Sequence, residues 1–249
     1  MPGVRRVVTP ELMDDPGVDR DALDHSLGYI RLVNRVLGGR SALLGCLRRW
    51  ADDWPRDRPI HLLDVGTGSA DLPLAAVQWA RGRGLDLRVT GIDNHTTTLE
   101  LAREHLQASD ADAASRIELI RADAGELADR FEPKSFDCVH AGLFLHHLSE
   151  IRVLTVLRVM DRLARCAVVW NDLVRTRVGL AAIHLLTIGK PEIIRHDARV
   201  SVRAGFTRRE AMDIAHRVGL ERPDYSWNPL THRFVLASLK PGCEWGGPA

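Results

Sequence analysis

Apolar and polar residues alternate along the chain with two periods, one typical of helices and one typical of strands. Between residues 19 and 50, apolar side chains recur every three or four positions, which predicts two amphipathic helices separated at Gly38 and Gly39. A polar, proline-containing segment, residues 51–59, follows them. From residue 60 onward, short apolar runs typical of strands alternate with helical patterns. This alternation predicts an α/β fold with a mainly parallel sheet and helices on both faces.

The last part of the chain has a different pattern. Thr207, Glu210 and Gly219 stand where a capping box and a C-terminal glycine would bound one further helix. Two strand candidates, within residues 221–227 and 231–239, are separated by only a few residues, which predicts an antiparallel hairpin. The remaining residues, 241–249, predict a flexible tail.

Acidic residues and glycines stand at the ends of the first three predicted strands, where a parallel sheet binds its ligands. The first strand leads into "LLDVGTGSAD", the second ends at Asp93-Asn94, and the third ends at Asp123-Ala124. Glycines at this turn allow the backbone to approach a ligand closely. Three acids on successive strand ends indicate a ligand with a ribose and an amine and with little phosphate.

A nicotinamide-dependent dehydrogenase is the main alternative for a glycine-rich turn after a strand. Its fingerprint requires a third glycine where this chain has Asp71, and pyrophosphate would be repelled by Asp64 and Asp71 together. A Tyr-x-x-x-Lys pair is also absent, because the only tyrosines are Tyr29 and Tyr225. These observations argue against a dehydrogenase.

The ordered set "LLDVGTGSADL", Asp93 after "VTGI", Asp123 after "IELIRA" and "FDCVHAGLFLHHL" resembles the successive motifs of class I S-adenosylmethionine-dependent methyltransferases, including the ubiquinone/menaquinone type. The resemblance implies a Rossmann-like sheet of seven strands with S-adenosyl-L-methionine as the cofactor. It also implies that the loop after the first strand surrounds the methionine part, that the second strand end holds the ribose, that the third borders the adenine and that the fourth lines the sulfonium. The implied cofactor-binding residues are Asp64, Gly66, Thr67, Gly68, Asp71, Asp93, Asn94, Asp123, Ala124 and His140.

The domain boundaries follow from the same reading. Residues 1–58 are expected to form a helical extension that acts as a lid, and residues 59–240 the methyltransferase domain. Residues 173–206 form a helical insertion after the fifth strand and are expected to contribute to the acceptor site. This insertion carries six basic residues against two acidic ones, beside the apolar run "VGLAAIHLLTIG". A hydrophobic acceptor with an anionic or strongly polar end would suit it, although any one of these basic residues could equally belong to a solvated face.

Histidines near the fourth strand end are the candidate bases. His146 and His147 are expected to act on the acceptor, and the expected lining of the acceptor pocket is Asp172, His184, Arg195 and His196. We expect no metal site, because metal-dependent catechol methyltransferases need an acid where this chain has His140.

The expected function is methylation of a small, apolar or aromatic metabolite, through O-methylation of a phenol or carboxyl group in natural-product biosynthesis. C-methylation of a quinone-like or electron-rich ring is the alternative, and a non-catalytic S-adenosylmethionine-binding protein is an alternative of another class. Nucleic acid is not an expected partner, because "HAGL" replaces the base-methylating motif and the 34 basic residues balance 33 acidic ones. We expect no membrane insertion, a cytoplasmic location and cysteines that form neither a disulfide framework nor a zinc site. A homodimer is compatible with the sequence.

Overall fold

A single mixed sheet of seven strands organises the molecule. The computed structural model describes residues 5–243 and residue 245. The strand order is β3-β2-β1-β4-β5-β7-β6. Of these seven strands, β7 runs in the direction opposite to that of the other six. The strands are β1 Ile60–Val65, β2 Leu87–Asp93, β3 Ile117–Arg121, β4 Phe136–Gly142, β5 Ala164–Leu173, β6 Asp224–Asn228 and β7 Arg233–Leu239. The predicted mostly parallel sheet with a C-terminal antiparallel hairpin is confirmed.

Helices surround this sheet, and the last of them carries the predicted capping residues. They are α1 Arg20–Val36, α2 Gly39–Trp50, α3 Asp71–Arg81, α4 Thr96–Ser109, α5 Ala111–Ala114, α6 Glu150–Leu163, α7 Arg177–Leu186, α8 Glu192–Ala204 and α9 Arg208–Val218. Thr207 and Glu210 form the capping box of α9, and Gly219 ends it with a φ of 90°. Two large apolar clusters of buried residues, one on each side of the sheet, form the core.

The order of the strands reverses at the centre of the sheet. From β1 the chain proceeds outward through β2 and β3, and it then returns to place β4 on the other side of β1. In α/β folds, the loops on the two sides of such a reversal diverge and leave a crevice at the carboxyl ends of the strands, where ligands bind. The carboxyl ends of β1, β2, β4 and β5 therefore define the face on which a site is expected.

The N-terminal segment and the insertion pack together over this face. A short 3-10 helix, Leu12–Asp14, is held by Asp197 of α8, whose two carboxylate oxygens accept hydrogen bonds from the backbone N–H groups of Leu12 (2.7 Å) and Met13 (3.1 Å). The Arg6 guanidinium donates to the carbonyl oxygens of Ala204 (2.8 Å) and Leu148 (2.8 Å). The chain preceding α1 is thus fastened to both the insertion and the loop after β4.

The C-terminal end is more ordered than the sequence predicted. Trp245 is buried and stacks on Trp50, with ring centroids 5.7 Å apart, and its carbonyl oxygen accepts a hydrogen bond from Arg58. Cys166 and Cys243 form a disulfide. The expectation of a flexible tail is therefore wrong for the described residues 241–243 and 245, and so is the expectation that no cysteines pair. The rest of the predicted tail lies outside the described residues.

None of the helices in the described part of the chain is long and apolar enough to cross a lipid bilayer.

Reduction of the disulfide should destabilise the protein. The bond joins residues 77 positions apart, so it constrains a long loop of the unfolded chain, and its loss should lower the free energy of unfolding by about 2–4 kcal/mol. Urea unfolding followed by circular dichroism, with and without a thiol reductant, measures this change. The Cys243→Ser variant should match the reduced wild type and should not respond to reductant. Equal stability of oxidised and reduced wild type would contradict the expectation.

Candidate active site

The glycine turn after β1 has the tight backbone geometry that its sequence predicted. Gly66 and Gly68 adopt φ angles of 70° and 54°. The backbone N–H groups of Gly66 and Thr67 both donate to the carbonyl oxygen of Ile92, at 2.9 Å, which holds the turn against β2. A side chain at Gly66 is excluded, because its Cβ would lie 2.4 Å from the ring of Phe144. The turn is therefore fixed in conformation and closely covered by the loop after β4.

Asp93 at the end of β2 faces this turn. Its carboxylate accepts hydrogen bonds from the backbone N–H groups of Gly68 (3.1 Å) and His95 (3.0 Å). Burial raises the pKa of Asp93, although these two hydrogen bonds oppose the rise. The neighbouring Asn94 is exposed. The Asp93 carboxylate thus lies beside the glycine turn, where it could accept hydrogen bonds from a bound diol.

A buried acid–imidazole pair joins the two central strands. The Asp64 carboxylate lies 2.6 Å from Nδ1 of His140, and it also accepts a hydrogen bond of 2.7 Å from the Thr67 hydroxyl. His140 is fully buried. Its Nε2 has no hydrogen-bond partner among the described residues. The sequence interpretation placed His140 on the sulfonium lining, and the structure shows that one of its nitrogens is instead engaged by Asp64.

A second buried polar group links α1, α3 and β7. The Asn34 side chain donates to Asp71 (3.2 Å) and accepts from Arg233 (3.0 Å). Burial raises the pKa of Asp71 to about 6 and lowers the pKa of Arg233 to about 10. One carboxylate oxygen of Asp71 and Nη1 of Arg233 lack partners within the described residues. The pair retains hydrogen-bonding capacity for a zwitterionic ligand.

At the end of β3, the structure differs from the sequence interpretation. The Asp123 carboxylate receives two hydrogen bonds from one Nη of Arg152, at 2.9 and 2.8 Å, and one from the Gly125 N–H at 2.7 Å. Ala124 is buried beside it. Asp123 was expected to meet an adenine amino group, but in this structure an α6 arginine occupies its carboxylate. The partner could not be foreseen, because it comes from a helix 29 residues further on.

His146 lies in the short 3-10 helix Leu145–His147, between two carboxylates. Its Nδ1 is 2.7 Å from Asp172, and its Nε2 is 3.4 Å from Glu11. Burial lowers the pKa of His146, but the two carboxylates outweigh burial and raise the pKa to about 10. The prediction that His146 is the catalytic base is therefore not consistent with its surroundings, because both ring nitrogens are engaged. Asp172, expected in the pocket lining, is fully buried behind His146.

His147 is engaged in a similar way. Its Nδ1 lies 2.8 Å from Asp14, its Nε2 lies 3.8 Å from Glu11, and its ring is stacked obliquely on that of His146 with centroids 4.3 Å apart. Burial lowers its pKa and so does the neighbouring His146, while Glu11 and Asp14 raise it, and the net shift is upward. Neither histidine is free to abstract a proton in this arrangement.

The other predicted pocket residues lie apart from this cluster. His184 is exposed on α7, and its Nδ1 contacts the Leu180 carbonyl oxygen of its own helix at 2.7 Å. Arg195 is exposed on α8, and His196 contacts the adjacent Asp197 at 3.0 Å. The structure therefore does not bring His184, Arg195 or His196 together with His146.

Sequence reasoning missed Glu11, Asn34 and Arg233. All three are polar and buried, and all are contributed by segments far in sequence from their partners. Asn34 did carry a weak signal, because it stands among the apolar positions of an amphipathic helix. Glu11, in an irregular segment, carried none.

Comparisons with known proteins concern the sequence pattern and the fold of the chain. Residues 62–166 match the sequence profile of a family described as a methyltransferase domain. No curated protein gives a match to the chain. Similar solved structures include a candidate O-methyltransferase from Nostoc punctiforme PCC 73102, with 20% identity and a TM-score of 0.57. The match covers 82% of this chain but only 57% of the length of that protein.

Two further structures match over almost their whole length. Magnesium protoporphyrin IX methyltransferase from Synechocystis PCC 6803, solved with bound S-adenosylhomocysteine, has 14% identity and a TM-score of 0.55, over 92% of this chain and 91% of that one. A candidate S-adenosylmethionine-dependent methyltransferase from Methanococcus maripaludis has 12% identity and a TM-score of 0.61, over 95% and 97%. Over residues 62–166 the chain is thus similar to a methyltransferase domain, and it shares the fold of these solved structures.

Asp71→Asn should change the pH dependence of stability. Because burial raises the native pKa of Asp71 to about 6, the native state holds this proton more tightly than the unfolded chain does. The resulting stabilisation is complete below the unfolded pKa and is lost as the pH rises through about 6. Asparagine does not ionise, so the variant should gain about 2–3 kcal/mol over the wild type between about pH 4 and pH 7.

Urea unfolding of both proteins across this pH range tests the expectation, with the exposed Asp52→Asn as the control. A stability difference between Asp71→Asn and the wild type that does not change with pH would contradict it.

Proposed function

We propose that this protein is an S-adenosylmethionine-dependent methyltransferase that O-methylates a small, largely apolar acceptor, and that a carboxyl group suits the site better than a phenol. The observation that carries the proposal is the set of polar groups at the carboxyl ends of the strands: Asp93 beside the glycine turn, and the buried atoms of Asp71 and Arg233 without partners. This set offers partners for the ribose, the ammonium and the carboxylate of the methyl donor.

The donor has a ribose diol, an ammonium and a carboxylate. The Asp93 carboxylate would accept hydrogen bonds from the ribose hydroxyls, in exchange for those it now accepts from Gly68 and His95. Asp71 would pair with the ammonium, and the free nitrogen of Arg233 would pair with the carboxylate. Asn34 already joins these two side chains, so both ends of the zwitterion would meet one hydrogen-bonded unit.

The bound donor would supply a methyl group activated by a sulfonium. The protein's own contribution would be positioning and exclusion of water, since the transfer is a displacement that needs the two reactants in line. Phe144 covers Gly66, and the N-terminal segment closes over the loop after β4 through Arg6. These contacts would keep the donor and the acceptor in a fixed, dry arrangement.

Acceptor chemistry is suggested by the insertion. The helix α7 and the turn after it expose Val178, Leu185, Leu186 and Ile188 to solvent. Exposed apolar side chains clustered on one helix are typical of a binding surface. The adjoining α8 adds exposed basic side chains, Arg195 and Arg203. Together they would hold an apolar body with an anionic end.

The surroundings of His146 and His147 favour a carboxyl acceptor over a phenol in this proposal. A phenol, with a pKa of about 10, needs a base at neutral pH, whereas a carboxyl group, with a pKa of about 4, is already ionised. Because His146 and His147 each hold a carboxylate on Nδ1 and face Glu11 with Nε2, neither of them is a free base for a phenol. An acceptor that arrives ionised would need none.

Labelled methyl transfer tests the proposal directly. The protein is incubated with methyl-labelled donor and with three acceptor classes: aromatic carboxylates, phenols and electron-rich rings without either group. A product whose label is released by mild alkali is an ester, and that outcome supports the proposal. Alkali-stable label on a phenol or on a ring would contradict carboxyl methylation and would indicate phenol O-methylation or C-methylation instead. Donor binding with no transfer to any class would favour a non-catalytic binding protein.

Asp93→Ala should weaken donor binding. The loss of two charge-assisted hydrogen bonds to the ribose is expected to cost on the order of 2–4 kcal/mol. Calorimetric titration with S-adenosylmethionine, S-adenosylhomocysteine and NAD measures this loss. Glu118→Ala, which removes an exposed carboxylate from the adjacent β3, serves as the control and should bind as the wild type does. Unchanged affinity of Asp93→Ala would remove Asp93 from the site, and binding of NAD alone would overturn the donor assignment.

Leu185→Asp should raise the KM for the acceptor at least tenfold and leave donor affinity unchanged, because it places a charge on the apolar surface of α7. Ile151→Asp is the matched control, since Ile151 on α6 is similarly exposed, at 77% against 70% for Leu185. Steady-state kinetics with the acceptor found above give the two values. A similar KM for both variants would show that α7 does not bind the acceptor.

A further inference from the structure

Three side chains from two distant parts of the chain converge beside β5. One nitrogen of His146, one of His147 and a carboxylate oxygen of Glu11 all lie within 4.8 Å of one another. Glu11 precedes the first 3-10 helix, whereas the two histidines follow β4. The fold brings them together through α8, because Asp197 holds the backbone after Glu11 and the Ser201 hydroxyl donates to the Glu11 carboxylate.

The orientation of the two imidazoles is set by carboxylates on the outer side. Nδ1 of His146 faces Asp172 at 2.7 Å, and Nδ1 of His147 faces Asp14 at 2.8 Å. An ionised carboxylate only accepts hydrogen bonds, so each Nδ1 must carry the hydrogen. Both Nε2 atoms face Glu11, so an ion that replaces the proton on each Nε2 would meet lone pairs directed inward. A carboxylate that orients a histidine through Nδ1 is the usual second partner of a metal-binding imidazole.

The inner distances suit a shared ion better than direct hydrogen bonds. The Glu11 oxygen lies 3.4 Å from Nε2 of His146 and 3.8 Å from Nε2 of His147. Charge-assisted hydrogen bonds between such groups measure about 2.7–2.9 Å. Two ligand atoms that are each about 2.1 Å from one tetrahedral ion are about 3.4 Å apart. The three groups therefore lie at a spacing that suits the ligands of one cation.

We propose that Glu11, His146 and His147 bind one divalent transition-metal ion. Two imidazole nitrogens and one carboxylate favour zinc, cobalt, iron(II) or nickel over magnesium or calcium, which prefer all-oxygen sites. The ion would compensate the carboxylates of Glu11, Asp14 and Asp172. It would also fasten the N-terminal segment to the loop after β4. His147 is 19% exposed, against 3% for His146 and 7% for Glu11, so the ion would enter past His147.

This inference does not depend on the proposed methyl transfer, and its test does not use activity. The full-length protein is freed of metal with a chelator, and Co²⁺ is then titrated while its visible ligand-field absorption is recorded. We expect one Co²⁺ per chain, displaced by Zn²⁺. Glu11→Gln and His147→Gln should each bind at least a hundredfold more weakly. Asp14→Asn, which removes only the outer partner of His147, should weaken binding by about 10- to 100-fold.

His216→Gln, which removes an exposed histidine on α9, is the matched control and should bind as the wild type does. Circular dichroism establishes that each variant is folded. The wild-type titration alone can overturn the proposal, because absence of stoichiometric Co²⁺ binding rules out the site even if a variant fails to fold. Wild-type affinity in Glu11→Gln and His147→Gln would overturn it as well.

Discussion

The arrangement of the functional face depends on the contact between Asp64 and His140. Burying an unpaired carboxylate between two central strands would be strongly unfavourable. The imidazole of His140 at 2.6 Å and the hydroxyl of Thr67 at 2.7 Å satisfy it. Because Asp64 ends β1 and His140 lies in β4, this contact bridges the two strands at which the strand order reverses. The glycine turn follows directly, so its position is tied to the same pair.

Two further polar groups extend this constraint to the rest of the chain. Asn34 joins α1 to Asp71 and Arg233, and Glu11 joins the N-terminal segment to the loop after β4 and to α8. Both are buried, and hydrogen bonds in a low-dielectric interior are costly to leave unmade. The N-terminal extension is therefore positioned by polar contacts on the functional face as well as by apolar packing. Its function as a lid stays a proposal.

Local features of the site could be predicted from the sequence, and pairings across the fold could not. The strand ends that carry Asp64 and Asp93, the helix caps of α9 and the terminal hairpin depend on short-range patterns, and the structure contains all of them. The Arg152 partner of Asp123, the Cys166–Cys243 disulfide and the approach of Glu11 to His146 depend on the tertiary fold, where residues 29 to 135 positions apart meet. Composition and period carry no information about such pairs. The histidines were assigned as bases for this reason, since their own segment contains none of the carboxylates that engage them.

The pairing of the acids has a consequence for the chemistry of a cationic donor. An unpaired carboxylate beside a sulfonium would stabilise the bound reactant more than the transition state, in which the positive charge is being dispersed, and would therefore slow the transfer. In this site the negative charge of the carboxylates near the strand ends is reduced by hydrogen-bond partners or by a raised pKa. Asp64 is held by His140 and Thr67, Asp172 by His146 and by the indole N–H of Trp170, and Asp71 has its pKa raised to about 6 by burial. Under the proposed function, such a face would recognise the polar groups of the donor through individual hydrogen bonds without surrounding its reacting centre with uncompensated negative charge.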